Sequence, residues 1–396
     1  MMHKFRPFIL VSLSCFLLIS CDDKNVENQE NVFLQESSLE AAYSLEEWKN
    51  FLTSSFGQNA DQVLIFAQSG IEQYKITYLT EDLYGQQVLA SGAVVVPTDI
   101  SGAMALASIQ HGTLFNEQDA PSYFNPGSES LMGSFFASTG ILIGMPDYIG
   151  YGASKDSDHP YEHRQGLAKA NADFIQAARE FMRERNLEWN NKLMLAGYSE
   201  GGYATMATHK YLQENLSNEL PVTISICGAG AYDKTGSFNQ LINEPSSGDI
   251  GHNRSYLWVL DTYNKAYNLN FNYSDIFKEP WASAIKAQGY ITQIDTSLNA
   301  ILTEQFINDY NNGVLTDLID ALADNDVDDW KANAQIRLYH GDADQYVPYS
   351  NSVSAEQKMK LKGSNIQLFT EEGGTHGSTI GSYIFGVLEL FTVNKG

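Results

Sequence analysis

Residues 193–202 read Leu-Met-Leu-Ala-Gly-Tyr-Ser-Glu-Gly-Gly and contain the pattern G-x-S-x-G around Ser199. The apolar residues before the pattern predict a short buried strand, and residues 203–215 after it are predicted as a helix. In that setting glycines permit a sharp, strained turn that exposes the serine hydroxyl. The stretch therefore favours Ser199 as a nucleophile on a strand–turn–helix unit over a purely structural Gly-Ser turn.

Strand and helix patterns alternate on both sides of this unit. Apolar runs bounded by glycine or proline predict buried strands at 103–110, 140–146 and 221–228. Apolar residues at helical spacing predict a helix over 164–187. Alternating strands and helices imply crossover connections, so we predict an α/β fold with a mainly parallel central sheet and helices on both faces.

One long insertion interrupts the alternation. Residues 232–334 are mostly helical or irregular in pattern, and eight of the 26 residues in 256–281 are aromatic. We predict a single core, residues 46–231 plus 335–396, with a mostly helical cap or lid at 232–334, before the penultimate strand. The aromatic cluster either shapes a substrate pocket or forms the cap's own core, and both roles stay open.

A serine hydroxyl needs a neighbouring base to become a nucleophile. His376 lies in the Gly-Gly-Thr-His-Gly loop at 373–377, after the last predicted strand, 366–369. Residues 340–348, His-Gly-Asp-Ala-Asp-Gln-Tyr-Val-Pro, contain two carboxylates that follow the penultimate predicted strand, 336–340. Asp344 is preferred as the third member because it lies further into the loop, where it can turn toward His376. Asp342 is predicted to bracket that turn through backbone hydrogen bonds.

The chain order Ser199, Asp344, His376 resembles that of the α/β-hydrolase superfamily. The pattern H-G-x-x-D-x-x-V-P around the acid recurs in that superfamily and supports Asp344. The resemblance covers the chain from about residue 70 to the end, apart from the insertion. It implies an α/β-hydrolase fold and a serine hydrolase with a Ser-His-Asp triad.

Further short segments extend the resemblance. Residues 110–113, Gln-His-Gly-Thr, follow the predicted strand at 103–110, where the superfamily places half of its oxyanion hole. By resemblance the donors are the backbone N–H groups of Thr113 and Glu200. With 147–152, Asp-Tyr-Ile-Gly-Tyr-Gly, and 159–161, His-Pro-Tyr, these segments look like the bacterial relatives of the secretory lipases.

The implied function is hydrolysis of carboxylic esters, as in an esterase or lipase, through an acyl-enzyme intermediate. The partner is then a small-molecule or lipid ester substrate. No cofactor is predicted. No metal is predicted either, because the acidic run 324–329 lacks the glycine and glutamate that a calcium loop needs. Two alternatives stay open: a serine peptidase or aminopeptidase on the same fold, and an inactive ligand-binding lipoprotein.

The N-terminus has the features of an export signal. Residues 8–19 are a nearly continuous apolar run of 12 residues after a basic start, too short for a membrane-spanning helix of about 20. Residues 18–21, Leu-Ile-Ser-Cys, resemble a bacterial lipobox. We predict a signal peptide at 1–20, an acylated Cys21 followed by a flexible tether within 21–45, and an exported lipoprotein attached to a membrane. An ordinary signal peptide with a chance cysteine is the alternative.

Charge and cysteine content restrict the partners. The chain carries 24 Lys+Arg and 48 Asp+Glu, a formal charge of −24 that becomes −26 when the two basic residues of the signal are removed. This excess of negative charge argues against binding to nucleic acid and against binding to an anionic membrane surface, because both need basic patches on the protein.

Cys227 is left without an internal partner and is predicted as a small buried hydrophobe. Nothing in the sequence indicates a protein partner.

Overall fold

A computed structural model describes residues 31–57 and 60–396. Within this part of the chain, nine strands form one sheet in the order β1-β2-β3-β5-β4-β6-β7-β8-β9. The strands are β1 Leu34–Tyr43, β2 Ile71–Glu81, β3 Gln87–Pro97, β4 Met104–Gln110, β5 Leu142–Pro146, β6 Trp189–Tyr198, β7 Val222–Gly228, β8 Gln335–Gly341 and β9 Ile366–Glu371.

The helices in the described residues fall into two groups. Those before β8 are α1 Leu45–Phe56, α2 Ala60–Leu64, α3 Ser130–Ala137, α4 Arg164–Glu184, α5 Glu200–Asn215, α6 Lys234–Asn243, α7 Ile250–Ala266, α8 Tyr273–Ile276, α9 Trp281–Gln288, α10 Leu298–Ile301, α11 Glu304–Asn311 and α12 Thr316–Asp324. After β8 come α13 Ser350–Leu361 and α14 Ile380–Asn394. No helix in the described residues is both long and apolar enough to cross a membrane.

The predicted α/β architecture is confirmed. Strands β4 to β9 run parallel, while β1, β2 and β3 form an antiparallel edge that joins the sheet through β5. Helices cover both faces, with Phe135 and Phe391 packed on one side and Phe174 and Phe181 on the other. Because β6 is covered on both faces, its buried residues form a continuous apolar run rather than an alternating pattern.

The tether prediction is wrong for its second half. Residues 34–43 form the edge strand β1, which pairs with β2, so the folded unit begins well before residue 46. The buried carboxylate of Glu180 on α4 accepts hydrogen bonds from the backbone N–H groups of Val32, Phe33 and Leu34, at 2.8, 2.9 and 2.7 Å. Leu34 is the one buried residue of β1, so the strand shows no alternating apolar pattern. The predicted signal peptide and Cys21 lie outside the described residues.

The insertion between β7 and β8 contains helices α6 to α12, as the sequence predicts. Its aromatic residues divide between two roles. Tyr263 and Phe277 pack in a buried cluster made of insertion residues. Trp258 instead joins a cluster of core residues and stacks on Tyr161, with ring centroids 4.5 Å apart. The insertion therefore has its own core and also contacts the sheet domain near the site described next.

Cys227 lies in the middle of the sheet on β7. Its side chain is fully buried and free, as predicted. Burial disfavours the thiolate and raises the pKa of the Cys227 thiol well above its usual value. The residue is thus a small apolar side chain in the core, without the exposure that a reactive thiol requires.

Candidate active site

Ser199 lies at the turn between β6 and α5. Its backbone has φ 59° and ψ −123°, a strained conformation for a residue other than glycine. Close approaches on both sides hold this turn. A Cβ at Gly197 would lie 2.2 Å from the carbonyl oxygen of Gly201, and one at Gly201 would lie 2.1 Å from that of Gln110. The glycines of the G-x-S-x-G pattern are therefore required by backbone packing, and the turn presents the serine at the carboxyl end of the sheet.

The structure brings the three predicted residues together. His376, in the loop between β9 and α14, has its Nε2 atom 2.9 Å from Ser199 Oγ. Its Nδ1 atom lies 2.6 Å from Oδ2 of Asp344, in the loop after β8. Parallel strands end at the same edge of the sheet, so loops after β6, β8 and β9 converge there. The arrangement has the connectivity of a nucleophile, a base and an orienting acid.

Asp344 is buried among hydrogen-bond donors. Its Oδ1 atom accepts from the backbone N–H groups of Tyr346 and Val347, at 2.8 and 3.0 Å. Its Oδ2 atom is also 3.1 Å from Nε2 of the buried His340, a contact that the sequence did not indicate. Burial alone would raise the pKa of Asp344, but the hydrogen bonds from His340 and His376 outweigh it and hold that pKa well below its usual value. The carboxylate therefore stays ionised.

Asp342, the other candidate acid, has a different environment. It is exposed, and its Oδ1 atom accepts a hydrogen bond of 2.6 Å from the backbone N–H of Gly373. That bond ties the loop after β8 to the loop that carries His376. Asp342 thus brackets the turn, as predicted, and lies outside the hydrogen-bonded chain from Asp344 to Ser199.

The segment at 110–113 lies beside the nucleophile. A Cβ at Gly112 would be 3.8 Å from Ser199 Cβ. Thr113 is fixed by a 2.7 Å hydrogen bond between its hydroxyl and that of Tyr161. Glu200 opens α5, so its N–H lacks an acceptor in the helix. Among the described residues, neither the Thr113 nor the Glu200 backbone N–H donates a hydrogen bond, which leaves both available to a bound oxygen.

A buried pair beside the nucleophile was missed from the sequence. Glu200 Oε1 lies 2.7 Å from Nε2 of His159, whose Nδ1 is 2.7 Å from the carbonyl oxygen of Ile149. The sequence gives the Glu200 side chain no role and predicts His159 as a surface or wall residue. The surface position is wrong, because His159 is 7% exposed and packs against Trp258 of the insertion. The pair anchors the first residue of α5.

Ser199 opens into an apolar cavity between the sheet domain and the insertion. Its walls include Phe238, Tyr256 and Leu260 from α6 and α7. Tyr256, one of the aromatic residues in 256–281, therefore lines the cavity. Other aromatic residues of that segment pack in the insertion's core. Within residues 31–57 and 60–396, no three His, Cys, Asp or Glu side chains are grouped as metal ligands.

Comparisons with known proteins agree with this architecture. Residues 124–379 match the model of a family described as secretory lipase. Among solved structures, a Legionella pneumophila protein assigned as a hydrolase superposes with a TM-score of 0.78 at 22% identity, covering 91% of this chain and 98% of that one. The rice cell wall degrading esterase LipA from Xanthomonas oryzae gives 0.72 at 21% identity, over 91% and 96%.

A more distant likeness has the same fold. Candida antarctica lipase A superposes with a TM-score of 0.61 at 13% identity, covering 89% of this chain and 82% of that one. No curated protein sequence matches the chain. At these identities the solved structures establish the fold, and they confirm the predicted α/β-hydrolase architecture.

Proposed function

Since this chain belongs to the secretory lipase family and is a carboxylic ester hydrolase, we propose that it cleaves esters through Ser199, His376 and Asp344 by way of an acyl-enzyme intermediate. The main support for the proposal is a chain of two contacts. Asp344 Oδ2 lies 2.6 Å from His376 Nδ1, and His376 Nε2 lies 2.9 Å from Ser199 Oγ. Nucleophile and base within hydrogen-bond reach, with the base oriented by a third group, is the geometry that activates a serine.

In the first half-reaction, Ser199 Oγ attacks the ester carbonyl carbon while its proton passes to His376 Nε2. Asp344 keeps the other ring proton on Nδ1 and stabilises the imidazolium that forms. The tetrahedral intermediate then breaks its bond to the alcohol oxygen, which takes the proton from His376 Nε2. A water molecule repeats these steps on the acyl-enzyme, releasing the acid and restoring Ser199.

The backbone N–H groups of Thr113 and Glu200 are the proposed oxyanion donors. Negative charge develops on the carbonyl oxygen during attack, and one preorganised donor contributes about 10²- to 10³-fold to the rate in comparable sites. Two contacts support the assignment. Gly112 places the first donor segment against Ser199, and His159 holds the Glu200 side chain so that its backbone stays in place.

Ester specificity is tested by parallel assays on matched chromogenic substrates. We expect 4-nitrophenyl esters of varied acyl length to be hydrolysed, with one length preferred, because the cavity beside Ser199 is apolar. Aminoacyl 4-nitroanilides are expected to be much poorer substrates at the same enzyme concentration. Equal or faster cleavage of the anilides would favour the peptidase alternative instead.

Membership of a secretory family indicates an exported protein. We propose in addition that Cys21 is acylated and attaches the enzyme to a membrane, on the strength of the Leu-Ile-Ser-Cys run at 18–21. Expression of the full chain in a bacterium with labelled palmitate is expected to label the wild type and the control Cys15→Ser, and to leave Cys21→Ser unlabelled. Label retained by Cys21→Ser, or absent from the wild type, would contradict the proposal.

A further inference from the structure

The cavity beside Ser199 contains a buried ion pair that the proposed mechanism does not use. Lys234, the first residue of α6, donates a hydrogen bond from its ammonium group to Oε2 of Glu162, in the loop before α4. Lys234 is 3% exposed and Glu162 is 7% exposed, and both line the same cavity as Ser199. Burying two charges removes each from water, and their mutual attraction often fails to offset that cost, so the pair is poorly explained by stability alone.

The pair has hydrogen-bonding capacity left over. An ammonium group has three N–H donors. One of those on Lys234 bonds to Glu162, and the ring of Tyr203 lies 4.3 Å from Nζ. Among the described residues, no other oxygen accepts from this ammonium, and Oε1 of Glu162 accepts no hydrogen bond. The pair therefore offers both a donor and an acceptor next to each other in a cavity whose remaining walls are mostly apolar.

This combination favours a ligand group that can accept one hydrogen bond and donate another. A hydroxyl group can accept from the ammonium and donate to the carboxylate at the same time. A carboxylate would be repelled by Glu162 and a second ammonium by Lys234, whereas an alkyl chain would leave both groups unsatisfied. A hydroxyl does this with a single oxygen atom, which neither a carboxylate, an ammonium nor an alkyl chain can do.

We propose that the Glu162–Lys234 pair is a binding site for a hydroxyl group on the ester substrate, so that the enzyme prefers esters with a hydroxylated acyl or alcohol chain. This inference rests on the proposed function, because it assigns a role to a wall of the same cavity. The hydroxyl is bound and does not react. If the hydroxyl lies on the acyl chain, the acyl half of the ester enters the cavity. If it lies on the alcohol chain, the alcohol half does.

The test compares matched esters with and without a hydroxyl group. Ethyl hexanoate is measured against ethyl 3-hydroxyhexanoate and ethyl 6-hydroxyhexanoate for the acyl half, and hexyl acetate against 6-hydroxyhexyl acetate for the alcohol half. We expect kcat/KM for at least one hydroxylated ester to exceed that of its parent about tenfold, as a hydrogen bond to a charged group allows. Equal or lower kcat/KM for every hydroxylated ester would overturn the inference.

A double variant links the preference to the pair. Glu162→Leu with Lys234→Met removes both charges together and leaves no buried charge without a partner. The ratio of kcat/KM between the hydroxylated ester and its parent is expected to fall to about one, from about ten in the wild type. A ratio that stays at the wild-type value would contradict the assignment. Should this variant not fold, Glu162→Gln, which removes the charge of the acceptor, is expected to lower the same ratio.

A second ion pair between the insertion and the sheet domain provides the control. Lys265 on α7 lies 2.7 Å from Asp158, outside the cavity that contains Ser199. Lys265→Met with Asp158→Asn is expected to keep the wild-type ratio. Titration with a fluorophosphonate counts reactive serines in every sample. Absence of labelling and of turnover on all esters would indicate failure of the proposed function, whereas labelling and turnover without hydroxyl preference would indicate failure of this inference alone.

Discussion

Replacing Ser199 with alanine is expected to lower kcat for ester hydrolysis about 10⁶-fold, because members of such a triad act as a unit and the base has nothing to activate without the hydroxyl. Fluorophosphonate labelling should disappear in the same variant. The fold should be retained, since the change removes one oxygen atom that lies 2.9 Å from His376 and leaves the backbone turn intact. The measurement is the initial rate on a 4-nitrophenyl ester at saturating concentration.

The strained turn at Ser199 supplies a control for the same experiment. Glycine accepts φ 59° without a steric penalty, so Ser199→Gly is expected to raise the free energy of unfolding by about 1 kcal/mol while being as inactive as Ser199→Ala. Thermal or denaturant unfolding measures the difference. Residual activity within tenfold of the wild type in either variant would show that Ser199 is not the nucleophile.

Asp344→Asn is expected to lower kcat about 10⁴-fold, the cost of placing the histidine in the wrong tautomer. Two backbone N–H groups bond to Oδ1 of Asp344, so the asparagine oxygen takes that position and its NH₂ group faces His376. An NH₂ group donates and cannot accept the Nδ1 proton of His376. The ring proton then moves to Nε2, where it points at Ser199 and prevents that nitrogen from acting as a base.

Asp342→Asn is the matched control for this variant. Its carboxylate bonds to the backbone N–H of Gly373, and an asparagine oxygen can accept the same hydrogen bond. The rate is therefore expected to stay within a few-fold of the wild type. A large loss in Asp342→Asn with a small loss in Asp344→Asn, measured as kcat on the same ester, would reverse the assignment of the acid.

Much of the site could be predicted from local sequence. The turn at Ser199 needs small residues at Gly197 and Gly201 because backbone atoms pass within contact distance, and that requirement is visible as a short pattern. Asp344 and His376 each follow a predicted strand, and the parallel sheet brings loops after neighbouring strands together. Chain order and strand ends were therefore sufficient to find three side chains that are 32 to 177 positions apart.

Other features depend on contacts between residues far apart in the sequence, which no local sequence pattern indicates. Strand β1 is an edge strand with a mostly polar sequence. The backbone N–H groups at its start donate hydrogen bonds to the carboxylate of Glu180, about 150 positions away. His159 and Glu200 are 41 positions apart, and Lys234 and Glu162 are 72 apart. Isolated charged residues are usually exposed, so the sequence predicts them on the solvated surface. They form buried pairs only because folding brings distant parts of the chain together.

The mechanism proposed above requires Ser199 to carry the acyl group during turnover. The most direct measurement mixes the enzyme with 4-nitrophenyl acetate, quenches with acid during turnover and locates the acetyl group by mass spectrometry of the digested protein. The proposed mechanism places an acetyl group on the peptide that contains Ser199 and none in the Ser199→Ala variant. Sustained hydrolysis with no acetyl group on that peptide, or an acetyl intermediate on another residue, would contradict it.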